Sequence, residues 1–222
     1  MSIQDQIMQA LSTVIEPELH RDIVSLNMVD NLSVNGDTAK FTIILTTPAC
    51  PLKNVFIERC NEAIIGKVAG IKKLDIQWDA KVPTDKRIHG LLQTPMKSII
   101  AVSSGKGGVG KSTIAINIAV GLAEAGAKVA LIDADILNPN IPQMAGLGAG
   151  RPKVLNNRML PIEAYGVKIM STGFLIDPDK PMIMRGPMLH SAIRQFFTDV
   201  EWGEIDYTIV DLPPGTGDAP LS

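Results

Sequence analysis

A glycine-rich segment in the second half of the chain has residue types and a spacing suited to holding a phosphate chain. Its residues are Gly105, Lys106, Gly107, Gly108, Val109, Gly110, Lys111, Ser112 and Thr113. They satisfy the pattern G-x-x-x-x-G-K-S/T, in which glycines allow backbone N–H groups to face phosphate oxygens. Lys111 would neutralise the β- and γ-phosphates, and the Ser112 hydroxyl would be a ligand of Mg²⁺. The structural alternative is a glycine-rich turn that binds nothing.

Carboxylates follow two of the predicted strands. Asp133 and Asp135 come at the end of one apolar run, and Asp211 ends a later one. Ligands of open α/β sheets bind beyond the carboxyl ends of the strands, so these acids can converge on the glycine-rich segment. We expect Asp211 to hold Mg²⁺ directly or through water, and Asp135 to contact the ion or orient a water molecule. For Asp133, a helix cap or turn former is the structural alternative.

Buried strands alternate with helices from Lys97 onward, which predicts an α/β fold with a mostly parallel sheet and helices on both faces. The predicted strands are 99–103, 129–133, 166–171 and 207–211, and the predicted helices are 111–125 and 188–200. The glycine-rich segment falls between a strand and a helix, which is the context that its motif requires. Gly126 stands where a helix C-terminal glycine is expected.

The first 80 residues predict a separate, small α+β domain. Its predicted elements are a helix over 3–15, strands over 28–34 and 39–46, a helix opened by Pro51, and a strand over 71–78. Asn35 and Gly36 predict a tight turn between the two strands, because both residue types tolerate positive φ. Residues 81–96, with prolines, a glycine and several charges, are predicted to be a linker, which leaves 97–222 as the second domain.

Composition excludes several classes of protein. The chain has 222 residues, 21 Lys+Arg against 23 Asp+Glu, and 45% hydrophobic residues, so it is neither disordered nor a disulfide scaffold. Its near-neutral charge predicts no nucleic-acid and no membrane partner. The first residues lack the basic and apolar regions of a signal peptide, and the longest apolar stretch, 113–132, is interrupted by polar and charged residues. We expect a cytoplasmic location.

Several motifs resemble one known family. GKGGVGKST, with its second lysine at Lys106, resembles the deviant Walker A motif of the ParA/MinD class. DADI, MRGPM and VDLPPGTGD are similar to segments of the Mrp/ApbC subfamily of iron–sulfur cluster carrier ATPases. Residues 22–53, which end with TTPACPL, resemble the small metal–sulfur cluster assembly domain that precedes the ATPase in many bacterial members.

The resemblance implies a nucleotide-switched carrier. It implies a slow, Mg²⁺-dependent ATPase that acts as a homodimer and passes iron–sulfur clusters from assembly factors to apoproteins. Lys106, Lys111 and Asp135 would be the catalytic residues, with Lys106 reaching the nucleotide of the partner subunit. The family pattern after DADI is usually tyrosine-glycine-proline-serine, whereas residues 137–140 here are leucine, asparagine, proline and asparagine.

The cluster ligands of the family have no counterpart in this sequence. The resemblance implies a bridging 4Fe-4S cluster held by a CxxC pair downstream of the second switch, and the chain has only Cys50 and Cys60. Two separated cysteines do not form the paired ligand set, so we expect a truncated form. Cys60 is predicted in the core of a helix. Cys50 precedes that helix, where the thiolate is favoured, and is either a reactive or metal-handling thiol or a buried small residue.

Two other functions remain open. A positioning ATPase of the MinD kind would move on DNA or membrane without a cluster, and would need a basic surface or a terminal amphipathic helix, neither of which is apparent. A non-catalytic form would leave only the N-terminal domain as an interaction module. The residues alone do not exclude the second of these.

Overall fold

The computed structural model describes residues 1–85, 95–135, 138–148, 150–175 and 186–215. The chain divides into two compact units, Met1–Val82 and Pro83–Ser222. Most of the predicted linker lies outside the described residues. Within the described ranges, no helix combines the length and the apolar character that crossing a bilayer demands.

The first unit packs two helices and a three-stranded sheet around one core. Its elements are α1 (Ile3–Leu11), β1 (Val29–Asn35), β2 (Thr38–Leu45), α2 (Lys53–Ile64) and β3 (Lys73–Ala80). The sheet order is β1-β2-β3, with β1 and β2 antiparallel and β2 and β3 parallel. The predicted order of elements is therefore confirmed. The apolar faces of α1 and α2 and the inward side chains of β2 form the core.

The first helix was predicted over 3–15 but ends at Leu11, and two predictions about turns in this unit are also wrong in detail. Asn35 pairs with Thr38 as the last residue of β1, so Gly36 and Asp37 are the central turn residues, and of these only Gly36 has a positive φ, +63°. Pro51 does not begin a helix, because α2 starts at Lys53 and Leu52 is its N-cap. In both cases the observed feature, the turn or the start of the helix, lies one or two residues further along the chain than predicted.

The second unit is built on a five-stranded sheet. Its strands are β4 (Met96–Val102), β5 (Val129–Asp133), β8 (Ile162–Ala164), β9 (Val167–Ser171) and β10 (Ile205–Asp211). The order is β4-β10-β5-β9-β8, and all pairs are parallel except β8 with β9. A short hairpin of β6 (Val154–Leu155) and β7 (Arg158–Met159) lies outside this sheet. The parallel-rich α/β fold is thus confirmed.

The helices of this unit are α3 (Lys111–Glu124), α4 (Ile141–Met144) and α5 (Gly186–Thr198). Strand β10 lies between β4 and β5, so the two strands that flank α3 in sequence are not neighbours in the sheet. Asp211 and Asp133 are register partners at the ends of β10 and β5. This strand order brings the acids of two distant segments beside the start of α3.

The C-terminus of α3 is closed by a Schellman motif. The Ala127 amide donates to the Leu122 carbonyl at 3.0 Å, and the Gly126 amide donates to the Ala123 carbonyl at 2.9 Å. Gly126 has φ +93°, in the left-handed region that favours glycine. This stop fixes where the chain leaves α3 for β5, whose five residues are all buried.

Two glycine substitutions at this helix should change stability in opposite directions. Gly126→Ala should lower the free energy of unfolding by about 1–2 kcal/mol, because an L-residue is strained in the left-handed conformation. Gly121→Ala should raise it by roughly 0.5–1 kcal/mol, because Gly121 is exposed within the helix and an added Cβ would meet no atom within 4 Å. Urea unfolding followed by circular dichroism checks both variants, and changes of the same sign would contradict the prediction.

Candidate functional site

The glycine-rich segment forms the loop between β4 and α3. Gly108 and Gly110 have φ of +74° and +89°, which requires glycine at both positions. Gly105 and Gly107 have no such backbone, yet an added Cβ would meet nothing within 4 Å at Gly105 and only Pro214 Cγ, at 3.9 Å, at Gly107. Neither strain nor packing within the protein requires glycine there. The loop therefore offers bare backbone to a ligand.

A buried ion pair lies at the base of this loop. Lys111, the first residue of α3, places Nζ 2.5 Å from Oδ1 of Asp211, the last residue of β10. The two side chains are 7% and 1% exposed. Lys111 Nζ is also 3.4 Å from Ser112 Oγ. The predicted phosphate-binding lysine and the predicted magnesium ligand are thus in direct contact.

The other oxygen of Asp211 has no hydrogen-bond partner. Oδ2 is buried and accepts no hydrogen bond from the described residues. A buried carboxylate oxygen without a partner is costly, and Mg²⁺ prefers such hard oxygen ligands. In the described part of the chain, no group of three or more His, Cys, Asp or Glu side chains is arranged to hold a metal. Mg²⁺ fits this site because it keeps several waters and uses phosphate oxygens, so that one carboxylate and the Ser112 hydroxyl suffice.

Asp135 lies in the same region and is 8% exposed. Burial raises the pKa of its carboxyl, while the positive charge of Lys111 opposes that shift. Asp135 is therefore close enough to Lys111 to sense its charge. Its amide donates to Asp133 Oδ1 at 3.1 Å, which ties Asp135 to the end of β5.

Asp133 is fully buried and acts as a hub of hydrogen bonds. Besides the Asp135 amide, it accepts at Oδ2 from the Ile141 amide at 3.3 Å and from Ser171 Oγ at 2.9 Å. The pKa of this carboxyl is raised to about 7, chiefly by burial and also by the charge of Asp211, while the hydrogen bonds from Ser171 and the two amides oppose the shift. The alternative that Asp133 is a structural turn former agrees with these contacts. Asp133 accepts from the backbone amides of Asp135 and Ile141 and from the side-chain hydroxyl of Ser171 on the neighbouring strand β9.

A cavity of about 610 Å³ joins these groups. Seven of the residues predicted for the site line it: Gly107, Gly108, Gly110, Lys111, Ser112, Thr113 and Asp135. Asp211 is not among the residues that line the cavity, but its carboxylate contacts Lys111, which does line it. Gly105, Lys106 and Val109 lie on the exposed surface of the loop instead.

One part of the cavity lining, hereafter the wall of the cavity, was missed by sequence reasoning. It consists of Asn138, Asn140, Gln143 and Met144, from the segment that follows β5. The only signal was the pair of asparagines that depart from the family pattern. Amide side chains offer both donors and acceptors, so this wall is suited to phosphate oxygens and water.

The segment after β10 completes the cavity through Pro213 and Pro214. The Leu212 amide donates to the Val102 carbonyl at 3.0 Å, and the Gly215 amide donates to the Ser104 carbonyl at 2.9 Å. These bonds couple the segment to the start of the glycine-rich loop. Residues 216–218, which end the VDLPPGTGD motif, lie outside the described residues.

The two cysteines lie in the first unit and differ in burial. Cys60 on α2 is fully buried in the core, as predicted, and burial raises the pKa of its thiol to about 12. Cys50 is half-buried in the turn before α2. In that turn the Ala49 amide donates to Thr47 Oγ1 at 3.3 Å and Lys53 Nζ donates to the Pro48 carbonyl at 3.1 Å. The turn thus holds an ammonium group near Cys50, whose reactivity stays a prediction.

The parallel sheet, the glycine-rich loop and the lysine at the start of α3 define a P-loop nucleotide-binding fold. Residues 95–222 match the family described as NUBPL iron-transfer P-loop NTPase, in the ParA group. Residues 4–78 match the family described as iron–sulfur cluster assembly protein. The chain belongs to the NUBPL iron-transfer P-loop NTPase family.

Relatives over the whole chain have names that agree with this family. The chain is 47% identical over 227 residues to an iron–sulfur cluster carrier protein of Synechocystis, covering 100% of this chain and 64% of that protein. It is 46% identical over 223 residues to an iron–sulfur cluster carrier protein of Deinococcus radiodurans, covering 99% and 62%. The chain thus spans less than two thirds of the length of these curated relatives.

One solved structure is similar to this chain in sequence and fold. A nucleotide-binding protein from Archaeoglobus fulgidus in complex with ADP is 44% identical to this chain, with a TM-score of 0.51. The likeness covers 62% of this chain and 53% of that one.

The raised pKa of Asp133 predicts a pH-dependent stability. The unfolded carboxyl ionises near pH 4 and the folded one near pH 7, so stability from this group is full below pH 4 and is lost as the pH rises to 7. The loss should be about 4 kcal/mol, and stability should be constant above pH 7 as far as this group is concerned. Denaturant unfolding of the protein and of Asp133→Asn between pH 4 and 8 measures the effect. A stability difference between the two that does not vary with pH would contradict this prediction.

Thiol labelling should distinguish the two cysteines. The native protein should incorporate about one equivalent of iodoacetamide, at Cys50, because Cys60 is inaccessible and its thiol stays protonated. Mass spectrometry of the labelled protein locates the modification. Cys50→Ser should label only after unfolding, and labelling of native Cys60 would show that the packing around α2 is not as described.

Proposed function

We propose that this chain binds ATP and Mg²⁺ in the cavity beside the glycine-rich loop and hydrolyses the nucleotide slowly. The single observation that carries the proposal is the buried contact of Lys111 with Asp211 under a loop of bare backbone. A cation and a partnerless carboxylate oxygen at the N-terminus of a helix are the groups that a metal-bound triphosphate needs. The ADP complex of the relative from A. fulgidus supports a nucleotide at this site.

The residues of the cavity would have different roles in binding and hydrolysing the phosphate chain. Lys111 would transfer its hydrogen bonds from Asp211 to the β- and γ-phosphates, while the amides of the loop hold the phosphate oxygens. Asp211 and Ser112 would hold Mg²⁺, which supplies positive charge to the phosphates when bound. Asp135 would orient the attacking water, since its carboxyl lies near Lys111 and lines the cavity.

Lys106 would act across a homodimer. Its side chain is exposed on the loop and does not line the cavity of its own chain. A cation supplied by a partner subunit would stabilise the charge that develops on the γ-phosphate. Hydrolysis would then depend on dimerisation, so that nucleotide state and subunit association are coupled.

We propose that the whole protein uses this switch to carry iron–sulfur clusters in the cytoplasm. The relatives from Synechocystis and D. radiodurans are named iron–sulfur cluster carrier proteins, and the first unit matches an iron–sulfur cluster assembly family. The cluster, of the 4Fe-4S type, would be cargo that moves from assembly factors to apo iron–sulfur proteins. Cys50 is the one cysteine of the chain with solvent access and could contact cargo during transfer.

Removal of Lys111 should abolish tight nucleotide binding. Lys111→Ala should weaken binding of Mg²⁺–ATP by roughly 10- to 100-fold, because a charge-assisted hydrogen bond to phosphate contributes about 1.5–3 kcal/mol. Isothermal titration calorimetry measures the affinity. Lys153→Ala is the matched control, since Lys153 is exposed and lies outside the cavity. Equal losses in both variants, or none in Lys111→Ala, would refute the assignment.

The same substitution should also destabilise the fold. Without Lys111 the buried Asp211 carboxylate has no cation, which costs about 3–5 kcal/mol. The double variant Lys111→Met, Asp211→Asn removes both charges and should recover most of that loss, while nucleotide binding stays weak. Denaturant unfolding of both variants separates the effect on folding from the effect on binding.

A further inference from the structure

The turn after β9 contacts the segment that forms one wall of the cavity. Ser171 ends β9, and a short 3₁₀ turn, Thr172–Phe174, follows it. Ser171 Oγ donates to Asp133 Oδ2 at 2.9 Å and accepts from the Gly173 amide at 3.0 Å. One hydroxyl therefore connects the turn to the acid at the end of β5.

Gly173 is packed closely against two prolines of that wall. A Cβ added at Gly173 would lie 3.1 Å from Pro142 Cγ, 3.2 Å from Pro139 Cβ and 3.3 Å from Pro139 Cγ. Its backbone is not in the left-handed region, so the fold needs glycine here for space rather than for conformation. Proline rings are stiff, and an added methyl group would displace the segment that carries them.

The same segment is tied to Asp133. The Asp133 carboxylate accepts from the Ile141 amide, within the segment, and from the Asp135 amide, which precedes it. Residues 138–142, hereafter the wall segment, are thus held by the Asp133 carboxylate and seated on Gly173. Asn138 and Asn140 of the wall segment line the same cavity as Lys111.

We propose that Ser171 and Gly173 are positioning residues of the nucleotide site, which hold the wall segment and Asp135 at the terminal phosphate. This inference rests on the proposed nucleotide binding. Neither residue lines the cavity. Ser171 would act through Asp133, and Gly173 would act through its close packing against Pro139 and Pro142. Asp135, Asn138 and Asn140 line the same cavity as Lys111, which contacts the β- and γ-phosphates in loops of this kind, so the proposal puts the wall segment beside the γ-phosphate rather than the nucleoside.

A displaced wall segment should therefore discriminate between two nucleotides. ADP lacks the γ-phosphate, so its binding should depend little on the wall segment. A triphosphate with Mg²⁺ also needs correctly placed groups on the wall segment, and loss of one such hydrogen bond weakens binding about tenfold.

The test compares two glycine substitutions in the full chain. Gly173→Ala should weaken binding of a non-hydrolysable ATP analogue with Mg²⁺ about tenfold and change binding of ADP by less than about twofold. Gly150→Ala is the matched control, because its Cβ would lie 3.2 Å from Ile162 Cδ1 and 3.3 Å from the Leu147 carbonyl oxygen, away from the cavity. The control should leave the ratio of the two affinities unchanged.

Hydrogen exchange gives a readout that needs no nucleotide. Gly173→Ala should speed amide exchange in peptides that cover residues 138–148, whereas Gly150→Ala should not alter exchange at residues 138–142. Ser171→Ala is a second variant, since it removes the hydroxyl bonds without adding bulk, and it should shift both readouts in the same direction as Gly173→Ala. It keeps the proposal testable if Gly173→Ala does not fold.

The outcomes separate this inference from the proposed function. If the unsubstituted chain binds neither nucleotide, the proposed function is wrong and the positioning role is overturned with it. If binding is intact but both Gly173→Ala and Ser171→Ala keep the ratio of affinities, or weaken both nucleotides equally, only the positioning role is overturned. Unchanged exchange of the wall segment in both variants would also overturn it.

Discussion

The proposed site in the second unit depends on one buried ammonium group that is paired with a carboxylate. Lys111 contacts Asp211 directly, and its charge reaches Asp135. An ion pair with so little exposure to water gains little net stability, because removing both charges from water costs as much as their attraction returns. Its value lies in what else can bind there. In the proposed function, a phosphate chain would replace Asp211 as the partner of the lysine and a cation would replace the lysine as the partner of Asp211, so the pair would prepare the site for a ligand that carries both charges.

The architecture of the sheet makes this contact possible. Because β10 lies between β4 and β5, the ends of three strands that are neighbours in the sheet lie beside the first turn of α3. The loop from β4 supplies backbone amides, β5 supplies Asp133 and Asp135, and β10 supplies Asp211. Beyond them, the neighbouring strand β9 supports the wall of the cavity through Ser171. Each strand end thus contributes a different chemical group to one cavity, and the order of strands in the sheet determines which groups meet.

Much of the fold and of the candidate site could be predicted from the sequence, because local residue patterns determine those parts. The glycine-rich motif, the apolar run of β5 and the glycine after α3 each have a local physical cause, and the structure has them where the motifs indicate. The position of β10 could not be predicted, since strand order depends on contacts between distant segments. The hairpin turn and the start of α2 were displaced by one or two residues, because Asn35 and Pro51 are compatible with more than one place in a turn.

The wall of the cavity shows why the remaining part of the site could not be predicted from the sequence. Asn138 and Asn140 belong to no motif, and Gly173 has an ordinary backbone, so their roles follow only from distances across the sheet. Asp133 could be read as a turn former, which its hydrogen bonds support, but the partners Ile141 and Ser171 are 8 and 38 residues away in sequence. Tertiary contacts of this kind leave no periodic signal in the chain.

The most direct measurement of the central claim is an experimental structure of the protein with Mg²⁺ and a non-hydrolysable ATP analogue. The account predicts phosphate oxygens within hydrogen-bond distance of the amides of residues 107–112 and of Lys111 Nζ. It also predicts an ion on the side of Asp211 Oδ2, with the contact between Lys111 and Asp211 lengthened. A nucleotide bound elsewhere, or one seated at the loop while Lys111 remains fully paired with Asp211 and no ion is present, would contradict it.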